Sequence, residues 1–176
     1  MALRLDDKKA LVAEVASVAQ TAQSVVAAEY RGLTVSQMTD LRAKARNSNV
    51  YLRVVKNTLA RRAIAGTQFE CVSQSLKGPL ILAFSKDDPG AAARLVKNFA
   101  KDNDKLVPTV VSLGGTALSA KDIDKVASLP TRMQALSQLA GVLQAPISKF
   151  VRTVAEPHAK LVRTIAAVKD QKQASA

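Results

Sequence analysis

The sequence predicts an α/β fold, an α+β sandwich of the ferredoxin-like, split βαβ type with extra helices, followed by a long C-terminal helical rod. Three observations predict it. Residues 1–129 contain strand-like and helix-like segments in alternation. Residues 130–176 show helical apolar spacing with a single glycine and no strand-like alternation. Apolar residues make up 48% of the 176-residue chain, which is enough for a packed core. We therefore predict two domains, residues 1–129 and residues 130–176.

The first predicted elements are a helix and a short strand. Apolar residues from Leu11 to Ala22 recur at helical spacing. Asp6 and Asp7 precede them, and acidic side chains are favourable near a helix N-terminus. Residues 24–29 (SVVAAE) predict the strand.

The next two elements are a helix and a second strand. Thr34 followed by Gln37 has the spacing of a capping box, so a helix is expected to begin there. Its predicted buried side chains are Met38, Leu41 and Ala45. Residues 50–55 alternate in the way that is typical of a half-buried strand. Asn57 or Thr58 is then expected to cap a short helix that Gly66 ends.

The last elements of the first domain repeat this order. Residues 80–84 (LILAF) predict a buried strand, and Asp88 followed by Pro89 predicts a helix start. Residues 106–113 predict a fourth strand that turns at two glycines, and Ser119 is expected to cap a helix that reaches about Leu129. Strand–helix–strand therefore occurs twice, as in a ferredoxin-like fold. A doubly wound sheet has a similar order of elements and remains the alternative.

The charge of the chain is strongly basic and unevenly distributed. Residues 1–66 hold 11 basic and 5 acidic side chains, residues 67–128 hold 8 and 7, and residues 129–176 hold 7 and 2. The total net charge is +12, which indicates a polyanionic partner, nucleic acid before a membrane surface. Only six residues are aromatic, so contacts with phosphates and shape are favoured over base stacking.

Basic residues of the first domain are the candidate nucleic-acid contacts. Between Arg31 and Gly66 only one acidic residue, Asp40, interrupts eight basic ones, so a bound polyanion would relieve their mutual repulsion. A solvated charged face is the alternative interpretation. The candidate contacts are Lys8, Lys9, Arg31, Gly32, Arg42, Arg46, Arg53, Lys56, Asn57, Arg61 and Arg62.

The predicted rod contains an internal repeat of eleven residues. The first copy, KFVRTVA at 149–155, matches the second copy, KLVRTIA at 160–166, at five of seven positions. Eleven residues is close to three helical turns, so both copies face nearly the same direction about 16 Å apart. Two exposed apolar patches of this kind indicate docking sites for copies of one partner. The candidate docking residues are Phe150, Val151, Val154, Leu161, Val162, Ile165 and Val168.

The rod has two other interpretations to consider. It could pack on its own domain or self-associate, but a repeat suits a repeated partner better than a single core. Pro146 and Pro157 predict a kinked helix, because each removes a backbone hydrogen bond and crowds the preceding turn.

Several classes of protein are excluded by what the sequence lacks. One cysteine (Cys71) cannot form an intramolecular disulfide, and with one histidine (His158) it cannot complete a four-ligand zinc site. No phosphate-binding glycine motif or convincing catalytic arrangement occurs, so we expect neither an enzyme nor a cofactor nor a metal. Neither a signal peptide nor a membrane span is recognisable, which predicts a cytoplasmic protein without a membrane partner.

Four blocks resemble a known family. They are YRGLTVSQMTDLR (30–42), YLRVVKNTLARRAIAGT (51–67), GPLILAFS with PGAAARL (78–95) and KLVRTIAAVKDQK (160–172). Their order and the total length are similar to those of the bacterial stalk-base proteins of the large ribosomal subunit, the ribosomal protein L-ten family. The resemblance runs essentially from end to end.

The resemblance implies a structural role in translation. The family's N-terminal domain binds large-subunit (23S) rRNA beside ribosomal protein L-eleven. Its C-terminal helix carries dimers of the acidic stalk protein of the L-seven/L-twelve type, which recruit GTP-bound translation factors. Some members also repress their own mRNA. The segment at residues 144–159 is longer and contains more prolines than the corresponding segment of family members from enteric bacteria. The resemblance therefore leaves open whether two or three dimers are bound. The alternative is a free RNA- or DNA-binding translational regulator, for which tandem docking patches have no evident use.

Overall fold

The computed structural model of the protein describes residues 4–174, which divide into two units. The first ends at Thr131 and the second begins at Arg132. The helices are α1 (Leu5–Thr21), α2 (Val35–Asn47), α3 (Asn57–Ile64), α4 (Ala91–Asp102), α5 (Ile123–Ala127) and α6 (Arg132–Ala174). The strands are β1 (Ser24–Glu29), β2 (Val50–Val54), β3 (Leu80–Ser85), β4 (Val107–Leu113) and β5 (Thr116–Ser119). Two 3-10 helices, Glu70–Ser75 and Ala120–Asp122, complete the described elements.

The five strands form one antiparallel sheet in the order β2-β3-β1-β4-β5. The first four strands have the split βαβ order, with α2 and α4 as the crossover helices, so the predicted ferredoxin-like fold is confirmed. The doubly wound alternative is wrong, because that fold needs parallel neighbours and every neighbouring pair here is antiparallel.

Both faces of the sheet are covered by helices. Along β1, Val25 and Ala27 pack in a core with α1 and α3, whereas Val26 and Ala28 pack in a second core with α2, α4 and α5. The central strands β1 and β3 are therefore buried on both sides. β2 lies at one edge of the described sheet, where its last residues, Arg53 and Val54, are exposed.

The capping box at Thr34 is confirmed. The Thr34 hydroxyl accepts the backbone N–H of Gln37 at 3.3 Å, and the Gln37 side-chain carbonyl accepts the backbone N–H of Thr34 at 2.9 Å. These reciprocal bonds satisfy two N–H groups at the start of α2. They also set the start of the helix that carries Arg42 and Arg46.

Three of the predicted helices differ from those of the structure. Helix α4 begins at Ala91 rather than at Pro89, because the Asp88 carboxylate accepts the Gly90 N–H at 3.0 Å in a turn that precedes the helix. The residue that precedes α3 is Lys56, and the Asn57 side chain bonds elsewhere. The single helix predicted after Ser119 is wrong. A fifth strand ends at Ser119, and a 3-10 turn and the short helix α5 follow.

The second described unit is the single helix α6. The helix continues through both prolines, Pro146 and Pro157. The kink predicted at these prolines stays a prediction. Within residues 4–174, no helix combines the length and the apolar character needed to cross a membrane.

Candidate nucleic-acid interface and docking helix

The edge of the sheet beside β2 carries three of the predicted contacts. Arg42 and Arg46 lie four residues apart on α2 and therefore share one side of that helix. Together with Arg53 of β2 they line a cavity of about 400 Å³ whose other walls are residues of α2 and β2. Burial of Leu41 and Ala45 in the core holds α2 against the sheet, so the two arginines face outward.

A second cavity, of about 390 Å³, continues this surface. Val54 lines both cavities, and the second is also lined by Tyr30, Lys56 and Asn57. Five of the predicted contacts thus border two adjoining depressions, which we call the basic strip. It consists of Arg42, Arg46, Arg53, Lys56 and Asn57. Adjoining concave surfaces lined by cations suit the phosphates of a folded polyanion.

Three further predicted contacts come together between α1 and α3. Lys8 and Lys9 of α1 and Arg62 of α3 line a cavity of about 340 Å³, whose remaining lining includes Leu5 and Leu59. The packing of α1 against α3 in the first core brings these cations into one place, although more than fifty residues separate them in the sequence.

Two predicted contacts also have a structural task. The Arg61 guanidinium donates to the carbonyl oxygens of Ser73 at 3.1 Å and of Leu76 at 2.9 Å. The Asn57 amide donates to the carbonyl of Gly78 at 2.9 Å and, at 3.4 Å, to that of Leu76. Both side chains therefore hold the segment between the first 3-10 helix and β3.

The remaining two predicted contacts lie in the turn after β1. Arg31 has a side chain that is 79% exposed, and its guanidinium is 3.8 Å from the Glu29 carboxylate. Gly32 has a φ of +88°, and a Cβ at this position would lie 3.3 Å from the Lys105 side chain. A glycine is favoured here by its backbone conformation.

Sequence reasoning missed Glu14, an acid within the basic surroundings of Arg53. The Glu14 carboxylate accepts the Tyr51 hydroxyl at 2.6 Å and lies 3.6 Å from the Arg53 guanidinium. It thereby ties α1 to β2 at the exposed edge. No local pattern could have revealed it, because Glu14 and Arg53 meet only through the fold.

Burial and the hydrogen bond to Glu14 raise the pKa of Tyr51 to about 12, from an ordinary value of about 10. The raised pKa means that the folded state favours the protonated phenol of Tyr51. This contribution to stability is complete below pH 10 and is lost as the pH rises toward 12. We expect alkaline unfolding to set in over this window in the native chain and to lose that dependence in Tyr51→Phe. Phenolate absorbance during an alkaline titration checks the pKa, and titration of Tyr51 near pH 10 would contradict the assignment.

The predicted docking residues are all exposed on α6. Their exposed fractions range from 52% for Val168 to 70% for Phe150. The predicted docking residues together with Leu136, Leu139, Leu143 and Ile147 form what we call the apolar seam.

The two copies of the repeat have matching local structure. Thr153 donates its hydroxyl to the Phe150 carbonyl at 2.7 Å, and Thr164 donates to the Leu161 carbonyl at 2.8 Å. The repeat also extends to the prolines, since Pro146 and Pro157 lie eleven residues apart. The similar sequence and the matching threonine hydrogen bonds give the two copies similar local structure.

The described residues hold no group of three His, Cys, Asp or Glu side chains that could bind a metal ion. Cys71 is half-buried and lies 3.4 Å from the Ser112 hydroxyl. The chemistry that the described surfaces support is binding: cations for a polyanion on the first unit, and apolar side chains for protein partners on the second.

Two family models match different parts of the chain. A family model described as "Ribosomal protein L10" matches residues 4–101, and one described as "Ribosomal protein uL10 C-terminal region" matches residues 129–155. The large ribosomal subunit protein uL10 of Thioalkalivibrio sulfidiphilus is 64% identical over 176 residues, covering 100% of both chains. The proteins of that name from Methylococcus capsulatus and Alcanivorax borkumensis are 66% and 60% identical, covering 99% and 100% of this chain and 100% of their own. The chain therefore belongs to the ribosomal protein L10 family.

Proposed function

We propose that the protein forms the base of the stalk of the large ribosomal subunit. In this proposal the first unit binds large-subunit rRNA beside ribosomal protein L-eleven. Helix α6 carries dimers of the acidic stalk protein of the L-seven/L-twelve type, which recruit GTP-bound translation factors. The observation that carries the proposal is the pair of similar, exposed apolar patches on α6.

Membership of the family makes this a structural protein of the large ribosomal subunit and not an enzyme. The protein accordingly acts in the cytoplasm, on the ribosome.

The rRNA contact is supported by the basic strip and by the cavity between α1 and α3. Arginine side chains at a concave surface can donate two parallel hydrogen bonds to a phosphate, which gives geometry as well as affinity. A folded RNA is read mainly through phosphates and 2′-hydroxyls. This mode needs no stacking aromatics, in agreement with the six aromatic residues of the chain.

The docking of dimers is supported by the size of the apolar seam. Full burial of one Leu, Ile, Phe or Val side chain contributes about 1.5–3 kcal/mol. Association itself costs at least about 4 kcal/mol in lost translational and rotational freedom, and burial of two or three such side chains per copy offsets a large part of that cost. A weaker third copy, formed by Leu139, Val142 and Leu143, precedes the first copy, with Leu139 and Leu143 eleven residues before Phe150 and Val154. Native mass spectrometry would count two dimers if only the repeat docks them and three if this weaker copy also does.

The test is sedimentation with ribosomes. The full chain, added to large subunits that lack it, is expected to move with the subunits and to bring the stalk dimers with it. A free regulator would instead stay in the light fractions and sediment only with an mRNA, and this result would contradict the proposal. A release of the chain from the subunits at raised salt would agree with binding through phosphates.

A further inference from the structure

The cationic positions of α6 are identical in the two copies of the repeat. Between the first and the second copy the apolar anchors change, from Phe150 to Leu161 and from Val154 to Ile165. The cationic positions do not change. The identical pairs are Lys149 with Lys160 and Arg152 with Arg163.

Duplication of the segment does not by itself account for these identities. Other positions on the polar side have changed freely, since Ser148 matches Ala159 and Glu156 matches Ala167. The identical threonines, in contrast, have a local reason, because each bonds a carbonyl of its own helix. The arginine of each copy has no such local reason, and the lysine has a local partner only in the second copy, where Lys160 pairs with Glu156.

These cations are exposed and mostly unpaired. Lys160 lies 3.6 Å from Glu156, and the two side chains are 68% and 53% exposed. Lys149, Arg152 and Arg163 are exposed and form no ion pair with any residue that the structure describes. Each copy therefore presents at least one cation that is available to a carboxylate from outside the chain.

Their position on the helix determines which part of a partner they would meet. At about 100° per residue, Lys149 lies roughly 100° from Phe150 around the helix axis, and Arg152 roughly 160° from it in the same direction. A partner that covered only the apolar seam would leave both cations in solvent. A dimer presents the same surface twice, so it can embrace a helix from more than one side.

We propose that each dimer docked on α6 pairs carboxylates with the lysine and arginine of its copy, so that its contact extends beyond the apolar seam around the helix. This inference rests on the proposed docking of dimers. The eleven-residue period favours a repeated protein over a nucleic acid, whose double helix carries a charge about every 1.7 Å and would not select a spacing of about 16 Å.

The test compares two variants of the full chain that lose the same charge from the same helix. One combines Arg152→Gln with Arg163→Gln inside the repeat. The control combines Arg132→Gln with Lys169→Gln outside it, and all four side chains are exposed. The probe is the dimer of the acidic stalk protein. The first variant is expected to raise the dissociation constant of each dimer about threefold and to make the affinity less dependent on salt. The control should leave both nearly unchanged.

The outcomes separate this inference from the proposed function. Equal effects of the two variants would overturn the inference, as would a loss of rRNA affinity in the first variant with normal dimer binding. A third variant, Leu161→Asp with Ile165→Asp, tests the seam itself. If it releases a dimer while the arginine variant matches the control, only the inference fails. If it releases none, the docking proposal fails. Circular dichroism confirms that the variants keep their helix.

Discussion

Replacing Arg42 and Arg46 together by glutamate is expected to weaken the affinity for large-subunit rRNA by about 100-fold. A hydrogen bond to a charged group contributes about 1.5–3 kcal/mol, so each lost phosphate contact costs roughly tenfold or more. The slope of log affinity against log salt should become smaller by about two, one unit for each cation removed. Filter binding or calorimetry of the chain with an rRNA fragment at several salt concentrations measures both quantities.

This pair is chosen because the fold does not depend on it. Both side chains are exposed on α2, whereas Arg61 holds two backbone carbonyls, so reversal of its charge would disturb the loop before β3. Lys101→Glu with Lys121→Glu is the matched control, since both lysines are exposed and line none of the three basic cavities. If the Arg42 and Arg46 variant keeps the native rRNA affinity and the native slope of log affinity against log salt, the basic strip is not part of the rRNA interface.

Leu161→Asp combined with Ile165→Asp is expected to release one stalk dimer. Loss of two buried aliphatic side chains costs more than about 3 kcal/mol, and a carboxylate that enters the interface unpaired costs more again. The affinity of that copy should therefore fall by about 1000-fold, which empties it at micromolar concentration. Native mass spectrometry reads the result as the loss of one dimer from the complex.

Two comparisons make this result specific. Phe150→Asp with Val154→Asp should release a dimer from the first copy, and all four changes together should release both. Gln173→Asp adds an exposed carboxylate to the same helix beyond the repeat and should keep full occupancy. If the seam variants also retain every dimer, the seam is not the docking surface.

Local patterns predicted the elements whose signals lie within a few residues. The Thr34–Gln37 capping box and the strand at residues 80–84 depend on neighbouring side chains, and the structure confirms both. The strand β5 was missed because four residues are too few to show an alternation. Its pairing with β4 becomes visible only once the turn at Gly114 and Gly115, both with positive φ, reverses the chain.

The candidate site divides in the same way. That the N-terminal part is rich in arginine and lysine is a property of composition, and it needs no structure. Which cations share a surface is a property of packing: Arg42 and Arg53 line one cavity, whereas Lys8 lines another with Arg62. The structural tasks of Arg61 and Asn57 depend on carbonyl groups far along the chain.

The sequence by itself determined the apolar seam, its eleven-residue repeat and the distribution of charge, because helix periodicity and charge are local properties that survive without tertiary contacts. Only the tertiary structure decided the antiparallel order of the sheet, the grouping of the cations into adjoining cavities and the place of Glu14 among them. The physical reason is that these features depend on residues brought together over long separations, and many sequences with the same local patterns could bring together different ones.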